Sequence, residues 1–362
     1  MDNYIKKLEE RRANGLFREL SSFSLDEYVD FCSNNYLGLA SVSYESELDF
    51  QGATGSRLIS GNYSMYRHTE LFLAEFFESE SALIFNSGYD ANLGFFSSVP
   101  QKGDTVIYDE LIHASVRDGI RMGYANSFKF EHNSIPDLEK KLMRAVGDVY
   151  VAIEGVYSMD GDFGKLEPIS EICQKYGAKL VVDEAHSAGV FGPGGRGLVA
   201  KEILQDKVFA RLITFGKAYG SHGAVVLGSK DLRDFLINFA RPFIYSTALP
   251  NTAVERIFEV VQNVKYMEEE IHKLFINIHF FRSLFEDSPW YKIDSHSPIQ
   301  TLIFPGIEEV KAIERNLIQD KIWSKAILSP TVPEGRERLR VSLHSFNSKK
   351  EIAKLFEIVS RS

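Results

Sequence analysis

Cysteine is nearly missing: Cys32 and Cys173 are the only two in 362 residues. That number and spacing exclude a disulfide framework, a zinc ribbon and a Cys-x-x-Cys redox pair. The two read as packed or idle thiols of a reducing compartment. A basic excess is also missing. The 41 Lys and Arg face 50 Asp and Glu, a formal net charge of −9. No broad cationic face is therefore expected for a phosphate backbone, and a nucleic-acid role gains no support. No apolar run approaches the roughly 20 residues that cross a bilayer, so no membrane role is expected. The opening Met1-Asp2-Asn3-Tyr4-Ile5-Lys6-Lys7 reads as a charged helix start, not a signal peptide. The expected address is the cytoplasm. Internal repeats, low-complexity tracts and flexible linkers are absent as well.

What the chain does have is apolar content, 44% hydrophobic against 25% charged, enough for two domains and a large core. Short apolar runs at 82–85, 105–108, 149–153, 179–182, 212–215 and 224–227 read as buried strands. Helical patterns such as 135–144 and 169–176 lie between them, which predicts a largely parallel sheet with helices on both faces. A helical pattern from 1 to about 20, a short strand at 28–31, a glycine-rich loop at 52–61 and a helix at 68–78 precede or open this region. One long helix over 252–284 is expected to leave it. A smaller α+β unit follows, with strands at 299–304, 326–328 and 339–343. The expected division is an N-terminal helix and arm (1–45), a large domain (46–255) and a small C-terminal domain (256–362).

Three segments place polar residues at strand ends, where open α/β sheets bind ligands. In Lys179-Leu-Val-Val-Asp-Glu-Ala-His186 a strand delivers Asp183, with His186 three residues on. Such a carboxylate suits a protonated pyridine nitrogen, and His186 a phenolic oxygen beside it; the plain alternative is an N-capping Asp and a surface His. In Arg211-Leu-Ile-Thr-Phe-Gly-Lys217 the strand end carries Thr214 and then Lys217 between small residues. An imine-forming amine needs a partly desolvated position of that kind, whereas most lysines are solvated. In Phe85-Asn-Ser-Gly-Tyr-Asp-Ala-Asn92 a strand, a Gly88 turn and a helix start leave backbone N–H groups free for a phosphate, with Tyr89 next; an ordinary β–α turn looks the same. His113 is placed to stack on an aromatic ring or simply to pack, and Ser158 to add a hydrogen bond. The run Gly192-Pro-Gly-Gly-Arg-Gly197 follows no strand directly and reads as an irregular surface loop or subunit contact.

Taken in order, Ser33-Asn-Asn-Tyr-Leu-Gly38, Tyr157-Ser-Met-Asp-Gly-Asp162, Val182-Asp-Glu-Ala-His186, Thr214-Phe-Gly-Lys217, Pro330-Thr-Val-Pro-Glu-Gly335 and Arg338-Leu-Arg340 resemble the α-oxoamine synthases over nearly the whole chain. These are a branch of the fold-type I pyridoxal-phosphate enzymes. The resemblance implies an aspartate-aminotransferase-like α/β fold, with a mainly parallel seven-stranded sheet domain and a small α+β domain. Arg11-Arg-Ala-Asn-Gly-Leu-Phe-Arg18, Phe239-Ala-Arg-Pro-Phe-Ile-Tyr-Ser-Thr-Ala248 and Ser295-His-Ser-Pro-Ile-Gln300 resemble the biotin-biosynthesis branch. That branch is an acyltransferase, condensing L-alanine with a pimeloyl thioester of coenzyme A or acyl carrier protein.

The resemblance also implies roles. Lys217 would be the cofactor lysine and proton carrier. Asp183 would bind the pyridine nitrogen, His186 and Ser158 the phenolic oxygen, and His113 would stack on the ring. Gly88, Tyr89 and Thr214 would hold the phosphate, with Ser246 and Thr247 reaching it from a second subunit of a homodimer. Arg340 would clamp the amino-acid carboxylate, and Arg18, Asn35 and Thr331 would contact substrate. No metal is implied. Leu328 stands where some relatives carry a second arginine, and Tyr89 where Phe is common. Glycine acetyltransferase, 5-aminolevulinate synthase and serine palmitoyltransferase activities remain open within the family, as does a non-catalytic binding protein outside it.

Overall fold

The computed structural model describes every residue except Met1, Leu25, Glu47, Lys292, Pro305 and Ser362. The chain forms two compact units, a larger one of residues 37–158 and 163–271 and a smaller one of 1–36, 159–162 and 272–362.

Seven strands form the sheet of the larger unit: β1 (Ser81–Phe85), β2 (Thr105–Asp109), β3 (Asn126–Phe130), β4 (Val149–Glu154), β5 (Lys179–Asp183), β6 (Ala210–Thr214) and β7 (Ala224–Gly228). Their order is β1-β7-β6-β5-β4-β2-β3. The neighbours from β6 to β3 are parallel, and only β7 runs against both its partners. The parallel strands therefore send their carboxyl ends to one edge, with Glu154 and Asp183 as cross-strand partners. Strands β1, β5, β6 and β7 are buried almost throughout, which is why each reads as an apolar run. Strand β3 was not anticipated. It is the sheet edge, four of its five residues are exposed, and its sequence Asn-Ser-Phe-Lys-Phe carries no apolar signal.

Helix α1 (Gly88–Ser98) follows β1, and α2 (Ala114–Met122) follows β2. Ser87 starts α1 by accepting from the Asp90 N–H at 3.1 Å, and His113 occupies the capping position of α2. The two helices press Phe95, Phe96, Val116 and Ile120 onto Leu83, Val106, Val181, Leu212 and Val226 of the sheet. Each such side chain contributes about 1.5–3 kcal/mol on burial. The helices meet closely because a Cβ on Gly119 would stand only 2.9 Å from the Phe96 Cβ.

The single helix expected over 252–284 is two: α3 (Asn251–Val264) and α4 (Glu268–Phe285). The apolar stripe Val254, Ile257, Val260, Val261 and Val264 ends at Lys265. Glu268, Glu269 and Glu270 then open a new helix where carboxylates favour a free N-terminus. Residues 256–271 belong to the larger unit, and 1–36 to the smaller, so the division differs from the expected 1–45, 46–255 and 256–362.

The smaller unit holds an antiparallel sheet of β8 (Ile299–Ile303), β9 (Lys325–Ile327) and β10 (Arg338–Ser342), in the order β9-β10-β8. Val29–Asp30 pairs in parallel with Ile322–Trp323, a two-residue ladder that tethers the first segment of the chain. The opening helix is shorter than expected, Asn3–Ala13, and buries none of its residues. Among the described residues no helix is long and apolar enough to cross a membrane.

Candidate active site

The ends of β4, β5 and β6 and the starts of α1 and α2 gather the predicted groups of the larger unit. Asp183, the last residue of β5, is 8% exposed. Its Oδ2 accepts from Asn92 Nδ2 at 2.7 Å and its Oδ1 from the Ala185 N–H at 2.9 Å. Asn92 also donates to Ser115 Oγ at 3.0 Å, and that hydroxyl lies 2.7 Å from His113 Nδ1. A hydrogen-bonded chain thus runs from Asp183 through Asn92 and Ser115 to His113, and it fixes the His113 ring. Burial pushes the His113 pKa down, the nearby Asp183 charge opposes this, and Lys217 and Arg117 add to it.

Beyond β6, Lys217 Nζ lies 2.7 Å from His186 Nε2, so the amine and the imidazole predicted from separate segments do meet. Thr214 Oγ1 donates to the Gly223 carbonyl at 3.1 Å and accepts from the Gly216 N–H at 3.3 Å. Gly88 faces it, for a Cβ there would stand 3.3 Å from the Thr214 Cβ. Tyr89 is exposed, donates to the Asp118 carboxylate, and sets its ring edge-on to His113 at 6.5 Å and 83°. Ser158 is buried, with its backbone N–H on Glu154. The Thr247 carbonyl accepts from Asn86 Nδ2 at 2.7 Å, which brings Ser246 and Thr247 beside the start of α1 within one chain.

Sequence reading passed over Asn92, Ser115, Glu154 and Glu184. Asn92 lies one helical turn beyond Gly88 and Ser115 two residues after His113, so position relative to the motif was the available signal. Glu184 had none: it follows Asp183 and is fully buried on Arg211, whose Nε donates to Oε2 at 2.7 Å. The 192–197 run is not simply a surface loop. Gly195 and Gly197 are buried, and a Cβ on Gly197 would meet Glu184 Oε1 at 2.3 Å. Gly197 thus leaves room for the buried Glu184–Arg211 ion pair, while Gly195 packs on Gly189 and Val264.

Arg18, Asn35, Thr331 and Arg340 lie in the smaller unit. Arg340 is buried, donating through its two terminal nitrogens to Ser342 Oγ and to Asn34 Oδ1, each at 2.9 Å. Asn34 thus joins Arg340, and the Asn35 N–H donates to Ser33 Oγ at 3.3 Å. Tyr36 donates to the same Asn34 oxygen at 3.0 Å, and its burial pushes its pKa up to about 12. Two donors on one amide oxygen leave the Asn34 NH2 pointing elsewhere. Arg18 reaches Thr331 Oγ1 at 3.4 Å. Leu328 accepts the Thr331 N–H in the turn after β9 and brings no charge. Among the described residues no group of three or more His, Cys, Asp or Glu could hold a metal ion.

A parallel-stranded α/β unit with an amine, a carboxylate and two imidazoles at its strand ends defines a class of enzyme, and comparison with known proteins agrees. The chain matches the family described as aminotransferase class I and II over residues 26–359 and belongs to it. Relatives named 8-amino-7-oxononanoate synthase include that of Emericella nidulans, 39% identical over 97% of this chain and 93% of the relative. That of Lysinibacillus sphaericus is 35% identical over 94% and 93%. Among solved structures, an 8-amino-7-oxononanoate synthase from Francisella tularensis covers 93% of this chain and 98% of its own, with 28% identity and a TM-score of 0.78. A serine palmitoyltransferase from S. paucimobilis with a bound PLP–myriocin adduct covers 99% and 96%, with 25% identity and a TM-score of 0.90. The fold is thus the fold-type I transferase architecture that the resemblance implied.

Proposed function

We propose that this protein condenses L-alanine with a pimeloyl thioester, releasing CO2 and free thiol and giving 8-amino-7-oxononanoate for biotin biosynthesis. The observation that carries this reading is the identity of 34–39% to relatives of that name over nearly the full chain, on a chain whose strand-end groups suit the chemistry.

The pocket residues fit pyridoxal 5′-phosphate. The missing Cβ of Gly88 leaves room beside Thr214 at the start of α1, where N–H donors suit a phosphate. The group would be held by Lys217, Asp183, His186, Ser158, His113, Gly88, Tyr89 and Thr214, with Ser246 and Thr247 from the second subunit of a homodimer. When bound, it supplies an electron sink for negative charge at the substrate Cα. Lys217 takes the Cα proton of alanine and later returns one. His186, 2.7 Å from the Lys217 amine, holds it in place. Asp183 fixes the cofactor's nitrogen end, Arg340 receives the amino-acid carboxylate, and Arg18, Asn35 and Thr331 contact substrate. The new bond joins alanine Cα to the thioester carbonyl carbon, the thiol leaves, and the alanine carboxyl departs as CO2. The acyl carrier is coenzyme A or acyl carrier protein, and the address is cytoplasmic.

Replacing Lys217 by Ala should lower turnover by at least about 1,000-fold; thiol release from pimeloyl-CoA measures it, and near wild-type rate would end this mechanism. A second reading, transfer to L-serine, is favoured by the TM-score of 0.90, against lower identity. Titrating L-alanine, L-serine and glycine while following the visible band of the bound cofactor separates the two.

A further inference from the structure

We propose that Glu154 is a positioning residue of the cofactor pocket: its one buried carboxyl group holds the backbone of the loop that presents Ser158 and faces that of the segment that presents His113. This rests on the reading of the site as a pyridoxal-phosphate pocket.

Glu154 ends β4, between β2 and β5, and is 2% exposed. Strand β2 runs on into the segment that carries His113, while β4 itself turns through Gly155 toward Ser158. The Ser158 N–H donates to Glu154 Oε2 at 3.2 Å, and the His113 backbone N–H lies close enough to the same carboxyl group to favour its charged form. Oε1 is buried without a protein partner. A buried polar atom left so costs free energy that an apolar side chain would avoid. A clamp of this kind gives this carboxyl a task that an apolar side chain lacks. Burial, and next the Asp183 charge, push the Glu154 pKa well above the carboxylate range, with Lys217 opposing. The acid form puts a proton, not a second negative charge, beside Asp183.

The test compares Glu154→Ala, Glu154→Asp and Glu154→Gln with the wild type. Pyridoxal-phosphate dissociation constants, the pH titration of the bound cofactor's visible band, and hydrogen exchange of segments 109–115 and 155–160 in the cofactor-free protein are measured. Loss of the group, or its retreat by one methylene in Glu154→Asp, should weaken cofactor binding about 10-fold or more and shift the band's titration. Exchange should rise in those two segments and not in β6 or α1. The isosteric amide keeps an acceptor and a donor, so Glu154→Gln should stay within about threefold of wild type. The clamp is overturned if Glu154→Ala, or Glu154→Asp should the former not fold, leaves affinity and both segments unchanged. A Gln variant as impaired as Ala, with exchange unaltered, overturns it too. If the wild type takes no pyridoxal phosphate, the proposed function fails, whereas exchange in the cofactor-free variants still decides the clamp.

Discussion

Glu184 and Glu154 are both buried at strand ends one sheet position apart, yet their surroundings differ. Glu184 is saturated: Oε1 accepts from the Val199 N–H at 3.1 Å and Ser187 Oγ at 3.0 Å, and Oε2 from Arg211 Nε at 2.7 Å. Arg211 in turn donates to the Phe77 and Arg196 carbonyls. Glu154 faces no guanidinium and keeps one oxygen without a partner. A buried acid can be retained as an anion with a full set of donors or as a neutral acid. The first arrangement ties the 192–197 loop and the 183–187 turn into the core. The second lies beside Asp183 and Lys217, as perturbed acids near reacting groups do.

The contrast breaks most visibly on the saturated side. Arg211→Met strands the Glu184 charge and should cost about 3–5 kcal/mol of stability, read as a lower urea midpoint. Combining it with Glu184→Met should recover much of that loss, since no buried charge then remains. A double variant as unstable as the single one would show that the loop depends on the guanidinium's carbonyl contacts instead. Between the two glutamates lies Asp183. Asp183→Asn should leave the urea midpoint nearly unchanged but lower turnover about 100-fold or more, the scale expected for removing a preorganised charge; thiol-release kinetics check it.

The same three acids show what was legible beforehand. Asp183 could be read because the apolar run Leu180-Val181-Val182 leads into it and the lysine and histidine motifs follow in a set order. The strands of the larger unit were legible for the same reason, except the edge strand Asn126–Phe130, whose exposed face leaves no apolar period. The break after Val264 was missed because Lys265-Tyr266-Met267 contains neither Gly nor Pro, and only the change of apolar phase marks it. Glu154 and Glu184 look like ordinary charged residues in sequence. Their burial depends on how the chain folds back on itself, which brings Arg211 onto Glu184 from 27 residues away and turns the Ser158 N–H onto Glu154. The Asn34 contact with Arg340 was not legible either, because the two residues are 306 positions apart.

The smallest effect bears most directly on the neutral acid. The folded pKa of Glu154 lies well above its ordinary 4.5. Well below pH 4.5 the group is protonated in both states and costs the fold nothing. As pH rises, the unfolded chain releases that proton while the folded one keeps it, so stability falls until the folded value is passed. The slope is roughly 1 kcal/mol per pH unit. Glu154→Gln carries no proton to lose, and its stability relative to wild type should grow between pH 5 and the raised folded value, then level off. Urea unfolding of both proteins at successive pH values measures the difference. Parallel curves over the whole range would mean that Glu154 is ionised in the folded protein, and the distinction from Glu184 would then rest on hydrogen-bond partners alone.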